Sequence, residues 1–445
     1  MYSCDTRQLP QQLRPGSLGH EEEDAATFAA WGTKYVKVDN CYVEPPENAP
    51  KTPRTDFPSR FGAIWDALHS VGINKMLVCQ WGTPYIDPGG DLEGPSTWRK
   101  VIGTSYRVSD DIATGWQNVM RIMNEAIYVS LKHESSSSHV ADMELLEVGN
   151  PGLTVAEQES HFSIWALFKS ALMISTNVPD MSAETARILS NKDILEINQD
   201  SLVEPVKLVQ RFSHDYDVYA GSLEGGDMAV LVLDQSNTSQ SLSLDFGMLS
   251  VCSADAQSAW TGESEMSMSS YSTIVSAHGC IVLRLSNLKK AKLQRANRRT
   301  YAASEGVLAG NATLLLCESC QTGQKVGYLS ANVTSAVTIT GIRTSQSTSD
   351  VHFSYINCEV GYSFADQGPN VRGANVSVNE GPPQEVLFLL TGYDWLRDSL
   401  SNFLVRLSGF DVDSENSITI AATRSEGGLG LSGWGPDIDS IGVVV

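Results

Sequence analysis

The chain has 445 residues with 42% hydrophobic content, enough for two or three domains with sizeable cores. Its 31 basic residues against 52 acidic ones leave a net charge of −21, which would repel a phosphate backbone and excludes nucleic acid as a partner. No run of about 18 apolar residues occurs, so neither a membrane-spanning helix nor a membrane partner is expected.

In chain order, Met1 to Ser3 reads as a strand fragment, and Gln8 to Gly19 as a Pro- and Gly-punctuated loop. Glu21 to Trp31 is a helix with four acidic residues in its first turn, where they suit the dipole, and Gly32 stops it. Tyr35 to Asp39 is a β-branched strand ending in polar residues. Lys37 and Asp39 lie two apart, so they share one face of that strand. Ser59 to Val71 is an amphipathic helix, and Lys75 to Trp81 is another strand. A strand over Thr104–Val108 leads into a helix from about Ile112 to Tyr128. A polar-tipped segment over Asp142–Val148, a helix over Val155–Lys169, a strand-like Ala171–Ser175 and a helix over Ala183–Leu189 follow. Sustained strand–helix alternation to about residue 200 implies parallel strands with crossover helices, an α/β sheet or barrel. The polar residues recur at strand C-termini, the end at which such barrels carry their active sites.

From about Val206 the texture changes to short alternating strands without helices, the pattern of a small β-sandwich. Residues 287–300 form a basic segment, expected to be a solvated linker. The stretch 300–445 is Ser-, Thr- and Gly-rich with short strands, a second all-β module. The domain expectation is therefore 1–204, 205–286, a linker at 287–300, and 301–445. Eight cysteines and the sequons at Asn237, Asn311, Asn332 and Asn375 favour a secreted protein, although no signal peptide is present. Cys317 and Cys320 form a CxxC pair without a second pair or histidines, so a disulfide is expected there rather than a metal.

Two strand-end carboxylate sites stand out, Asp39 and the Asp110–Asp111 pair. Glycoside hydrolysis needs two carboxylates across one pocket, about 5–5.5 Å apart for a retaining enzyme. Lys37 and Arg107 would hold sugar hydroxyls or keep a carboxylate ionised. Trp81 would offer a flat apolar face to a sugar ring. The competing explanation for the aspartate pair is an N-cap on the helix expected from Ile112.

These residues resemble those of glycoside hydrolase family 27, the melibiase-type α-galactosidases. Val36 to Tyr42 resembles the KYDNC signature, Pro15 to Glu21 resembles PGSLGHE, and Cys79-Gln80-Trp81-Gly82 resembles CEWG. Tyr106 to Ile112 is similar to WRxxxDI, and Asp142 to Asn150 to PDMLEVGN. The ordered match covers about residues 1 to 286. The resemblance implies a (β/α)8 TIM barrel lacking its first two strands, followed by two all-β sandwich domains. It implies Asp39 as the nucleophile and Asp111 as the acid/base. It implies substrate contacts from Lys37, Gln80, Trp81, Arg107, Asp142 and Met143. No metal or organic cofactor is required, since two carboxylates suffice. The implied partners are α-galactoside oligosaccharides or polysaccharides.

The C-terminal stretch resembles a family-35-type carbohydrate-binding module, from Cys317 through Gly323 to Tyr328 and again at Trp434 to Ile441. In that resemblance Trp434 is a candidate for ring stacking or for the core. Met1 falls where the family's third strand should begin, so an N-terminally truncated barrel is expected. Cys41 would pair with a cysteine before the PGSLG stretch, where Gln11 stands, leaving Cys4 as the substitute. The other reading of the chain is a galactose-binding protein with an impaired barrel. An N-acetylgalactosaminidase or an arabinopyranosidase also fits the resemblance.

Overall fold

A computed structural model describes residues 2–3, 16–39, 57–79, 85–86, 92–93, 102–109, 111–132, 139–213, 216–291, 298–359, 371–423 and 433–444. The N-terminal part is a parallel sheet with helical crossovers. In chain order it comprises β1 (Tyr2–Ser3), α1 (Glu21–Ala30), β2 (Val36–Asp39), α2 (Phe57–Ser70) and β3 (Met76–Cys79). A short antiparallel pair, β4 (Tyr85–Ile86) and β5 (Leu92–Glu93), intervenes. Then come β6 (Ser105–Arg107), α3 (Trp116–Lys132), β7 (Val140–Asp142), α4 (Val155–Leu167), α5 (Ala183–Leu189) and α6 (Lys192–Asn198). The sheet order is β1-β2-β3-β6-β7, and every neighbouring pair is parallel.

The side-chain pattern explains the layering. In β2, Val36 and Val38 are buried while Lys37 and Asp39 are half-buried. All four residues of β3 are buried, as expected of a strand covered on both faces. α1 carries Glu21, Glu22, Glu23 and Asp24 in its first turn and buries Ala25 and Phe28. It stops at Gly32, which takes φ +76°, a conformation open to glycine. Trp31, three residues after Phe28, is 73% exposed and does not join the core.

α4 is fixed at its start by a capping box. Thr154 Oγ1 accepts from the Glu157 N–H, and Glu157 Oε2 accepts from the Thr154 N–H. Its inner face then clamps the loop after β7. Trp165 Nε1 donates to the Glu144 carbonyl at 2.9 Å, and the Glu147 N–H donates to His161 Nε2 at 2.9 Å. Two expectations are corrected here. The helix expected from Ile112 starts at Trp116, directly after Gly115 at φ +103°. The strand-like Ala171–Ser175 makes a single parallel bridge, Leu146 to Ile174.

The next strands are β8 (Lys207–Phe212), β9 (Tyr216–Ser222), β10 (Met228–Asp234), β11 (Gln240–Asp245), β12 (Val251–Ser258), β13 (Ser264–Met268), β14 (Ser270–Val275) and β15 (Cys280–Lys290). Six of them form the run β13-β12-β15-β10-β9-β8, and β11 pairs with β14 across a shared core of Val218, Val232, Leu242, Leu244 and Leu283. β15 stays paired with β12 as far as Lys290, so the strand occupies the start of the segment expected as a linker.

The remaining strands are β16 (Arg298–Ala302), β17 (Val307–Ala309), β18 (Thr313–Leu316), β19 (Gln324–Gly327), β20 (Ala336–Ile342), β21 (Thr348–Ile356), β22 (Val371–Val378), β23 (Gln384–Leu389), β24 (Leu400–Ser408), β25 (Asn416–Ala422) and β26 (Asp437–Val444). They make a second sandwich, with one face formed by β17-β20-β25-β22-β23. The other face does not end at the module. β24 pairs in parallel with β8, Phe403 opposite Arg211 and Leu404 opposite Phe212, so one 12-stranded sheet runs through both β units.

Candidate active site

The parallel register lines up the strand ends. Asp39 lies opposite Cys79, and Arg107 opposite Asp142. Lys37 Nζ lies 3.5 Å from Asp39 Oδ1, both side chains half-buried. Arg107 is 1% exposed and binds three carboxylates with separate nitrogens. Its Nε donates to Asp142 Oδ2 at 2.9 Å, its Nη1 to Asp111 Oδ1 at 3.1 Å, and its Nη2 to Glu144 Oε1 at 2.6 Å. A planar guanidinium can serve three acceptors at once, whereas a lysine could not hold them in fixed directions.

Asp111 is the outward-facing member, its side chain 66% exposed. Its backbone is tied down from below, because Arg121 of α3 donates to the Asp111 carbonyl at 3.2 Å and to Ser109 Oγ at 3.0 Å. Since α3 starts at Trp116, Asp111 does not cap that helix. Asp142 is 1% exposed, and its second oxygen, Oδ1, is buried without a hydrogen-bond partner. Met143 is buried in the core, with its N–H donating to Ser170 Oγ at 2.9 Å. Gln80, Trp81, Cys41 and Asp110 lie outside the described residues.

Two members of the cluster escaped the sequence reading. Glu144 stands at φ +84°, held there by the Trp165 bond to its carbonyl and by Arg107 on its side chain. The signal available was the i, i+2 pair Asp142 and Glu144 at a strand end. Cys79, 7% exposed, sits between Asp39 and Arg107.

The charges are unequal in number: Lys37 and Arg107 face Asp39, Asp111, Asp142 and Glu144. Burial raises the Glu144 carboxyl above the usual range; Arg107 opposes this, while Asp111 and Asp142 add to it. Glu144 is thus a carboxyl of this cluster that burial and its like-charged neighbours incline to hold a proton. Burial works against the Lys37 ammonium, but Asp39 and Glu144 favour the charged form and its affinity for a proton is raised. Burial likewise opposes the Arg107 charge and is overcome by the carboxylates of Asp142 and Glu144. Burial also drives the Cys79 thiol well upward, against the pull of Arg107, so it is a neutral thiol rather than a nucleophile.

A cavity of about 710 Å³ lies at this sheet. It is lined by strand starts such as Tyr35, Lys75 and Thr104, and it reaches Asp142. Lys37, Asp39, Arg107 and Asp111 do not line it; the carboxylates stand at the opposite ends of the strands. In the C-terminal module, Trp434 is 37% exposed and lines a cavity of about 640 Å³ with Tyr328, Trp395, Lys325 and Arg372, so it is a surface residue and not core. Cys317 and Cys320 form the expected disulfide.

Comparison with known proteins completes the picture. Residues 4–200 match the model of the alpha galactosidase A family, and residues 213–285 that of the alpha galactosidase C-terminal beta sandwich domain. Alpha-galactosidase D of Emericella nidulans is 34% identical over 278 residues, covering 61% of this chain and 40% of that one. The alpha-galactosidase of Coffea arabica is 33% identical over 282 residues, covering 62% and 69%. The solved structure of alpha-galactosidase I from Mortierella vinacea superimposes with a TM-score of 0.56 at 26% identity, over 63% of this chain and 74% of that one. The match spans less than half the length of the fungal enzymes of type D.

Proposed function

The chain belongs to the melibiase family of alpha-galactosidases, and from that premise we propose that it is a retaining exo-acting hydrolase of terminal α-D-galactose residues. Its substrates would be galacto-oligosaccharides and galactomannan side chains. The observation that supports this reading most is Arg107, which holds Asp111 at the mouth of the cluster while the Lys37–Asp39 pair stands at the end of β2.

In this reading Asp39 attacks the anomeric carbon as the bond to the leaving oxygen breaks, and Asp111 donates its proton to that oxygen. The galactosyl ester on Asp39 is then opened by water, whose proton returns to Asp111, releasing galactose with its configuration retained. Asp111 suits the acid/base role because it is exposed enough to exchange protons with water, and Asp39 suits the nucleophile because Lys37 offsets its charge. The free oxygen of Asp142 is an acceptor suited to a sugar hydroxyl. Lys37 and Arg107 would contact the sugar hydroxyls, with Gln80 and Trp81 completing the sugar wall; the side chain of Met143 is buried in the core and is not part of that wall.

Residues 1–204 are read as the catalytic unit, 205–286 as its sandwich, and 301–445 as an accessory module. The aromatic cavity at Trp434 favours carbohydrate as what that module binds. The sequons and the disulfide support secretion.

The test uses aryl and natural α-galactosides side by side. Asp39→Asn should abolish hydrolysis of both. Asp111→Asn should lose about 10²–10⁴-fold on a sugar leaving group and far less on nitrophenol, which leaves without a proton. A 2-fluoro-galactosyl label found on a residue other than Asp39 would refute the assignment.

A further inference from the structure

Where the barrel helix α3, the strands β8 to β10 and the C-terminal module meet lies a second, partly open cavity of about 180 Å³. Trp116 lines it from α3, Arg211 and Ser213 from the first sandwich, and Leu389 and Phe403 from the C-terminal module. That volume is about six waters' worth, the size of one sugar ring.

Its polar groups are incompletely satisfied. Arg211 is 2% exposed; its Nε and Nη2 donate to Asp217 at 2.8–3.1 Å, but its Nη1 is buried with no acceptor. Ser213 Oγ is also buried without a partner. Buried donors left open each cost about 1–3 kcal/mol, so native proteins rarely tolerate two in one cavity without something to fill it.

The rest of the wall narrows the choice of occupant. The indole of Trp116 stacks on His278, centroids 5.0 Å apart and 11° from parallel, and Phe403 supplies a second apolar surface. Asp217 already neutralises Arg211, and Asp234 lies buried near by, bonded to the His278 N–H. With Arg211 already spent on Asp217, an anion entering there would find no spare cation among the lining residues and would face the carboxylate of Asp217. A neutral molecule with hydroxyl acceptors and a flat apolar face meets neither obstacle. At the rim, Asn237 Oδ1 accepts from His278 Nε2 at 2.9 Å; Asn237 is exposed, and it opens the sequon Asn237-Thr238-Ser239.

We propose that this three-way junction is a sugar-binding site that takes one neutral pyranose ring, its hydroxyls accepting from Arg211 Nη1 and Ser213 and its apolar face lying on the aromatic wall. The ring has two possible sources, a free monosaccharide or the first sugar of a glycan on Asn237. The site is separate from Asp39 and Asp111 and stands whether or not they are catalytic.

The experiment has two arms. In the first, the full chain made without glycosylation is titrated with D-galactose and with N-acetyl-D-glucosamine by saturation-transfer NMR. A free-sugar site predicts binding that Leu389→Trp or Ser213→Val weakens about tenfold, while Asp39→Asn leaves it in place. In the second arm, the chain is secreted from a eukaryotic host. A glycan source predicts occupancy of Asn237 by mass spectrometry and a first sugar that resists endoglycosidase until Leu389→Trp is introduced. The two filling variants act from different modules, so the failure of one to fold leaves the other informative. The proposal is overturned if neither sugar binds and Asn237 is bare or freely trimmed, or if binding is indifferent to both filling variants.

Discussion

Replacing Arg107 with methionine removes the one cation shared by Asp111, Asp142 and Glu144 while keeping most of the side-chain volume. The Asp142 and Glu144 side chains are 1% and 6% exposed, so both would be left buried without a counter-charge. Breaking a buried pair in this way costs about 3–5 kcal/mol. The Asp111 bond adds little, since its carboxylate is 66% exposed and water can replace the guanidinium. The chain has several cores, so global melting would blur the effect, and the reading belongs at the sheet itself. Amide exchange at Ser105–Arg107 and Val140–Asp142 should accelerate by about two to three and a half powers of ten at pH 7. The deficit should shrink on acidification, because Glu144, whose carboxyl burial already raises, then takes up a proton and loses its charge. Adding Glu144→Gln to the variant should recover part of the loss at pH 7 for the same reason. Exchange within a few-fold of the parent at pH 7, or a deficit independent of pH, would refute the account of the cluster.

His161 is fully buried, and burial pushes its imidazole down to about 3. The unfolded group titrates near 6.5, so between the two values only the unfolded chain is protonated. Stability should therefore be intact above about pH 6.5 and decline by about 3–5 kcal/mol as pH falls towards 3. His161→Gln should flatten that slope in thermal unfolding followed from pH 4 to pH 7. Asn402→Ala removes the donor that reaches the carbonyls of Leu208 at 3.1 Å and Val209 at 3.2 Å, where the β8–β9 register slips. Leaving them unmet should cost about 1–3 kcal/mol and speed proteolysis at the seam between β8 and β24, with the barrel helices unaffected.

The legible parts of the fold were those written in short-range pattern. Alternation in Val36–Asp39 gave both the buried face and the Lys37–Asp39 pair. The unbroken apolar run at Met76–Cys79 gave a central strand. Arg107 stood out beside the Asp110–Asp111 pair and Asp142 as a polar strand end, and the register sets them opposite each other. What escaped depended on partners far away in sequence. Glu144 takes its backbone conformation from a tryptophan 21 residues on, which no local pattern announces. The helix start was misplaced because Gly115 adopts a positive φ after a polar segment that could equally have begun the helix. The joining of β8 to β24 links residues about 190 apart, and nothing in either strand names the other.

That joining bears on how the molecule can be cut. The C-terminal 145 or so residues look, in sequence, like a detachable appendage on a basic tether. In the folded chain their removal would strip β8 of a neighbour and leave its carbonyls and amides facing water along a raw margin, an invitation to stick to other chains. A shortened chain ending near residue 290 would therefore need that margin dressed with charge or proline before it could be handled as an independent protein.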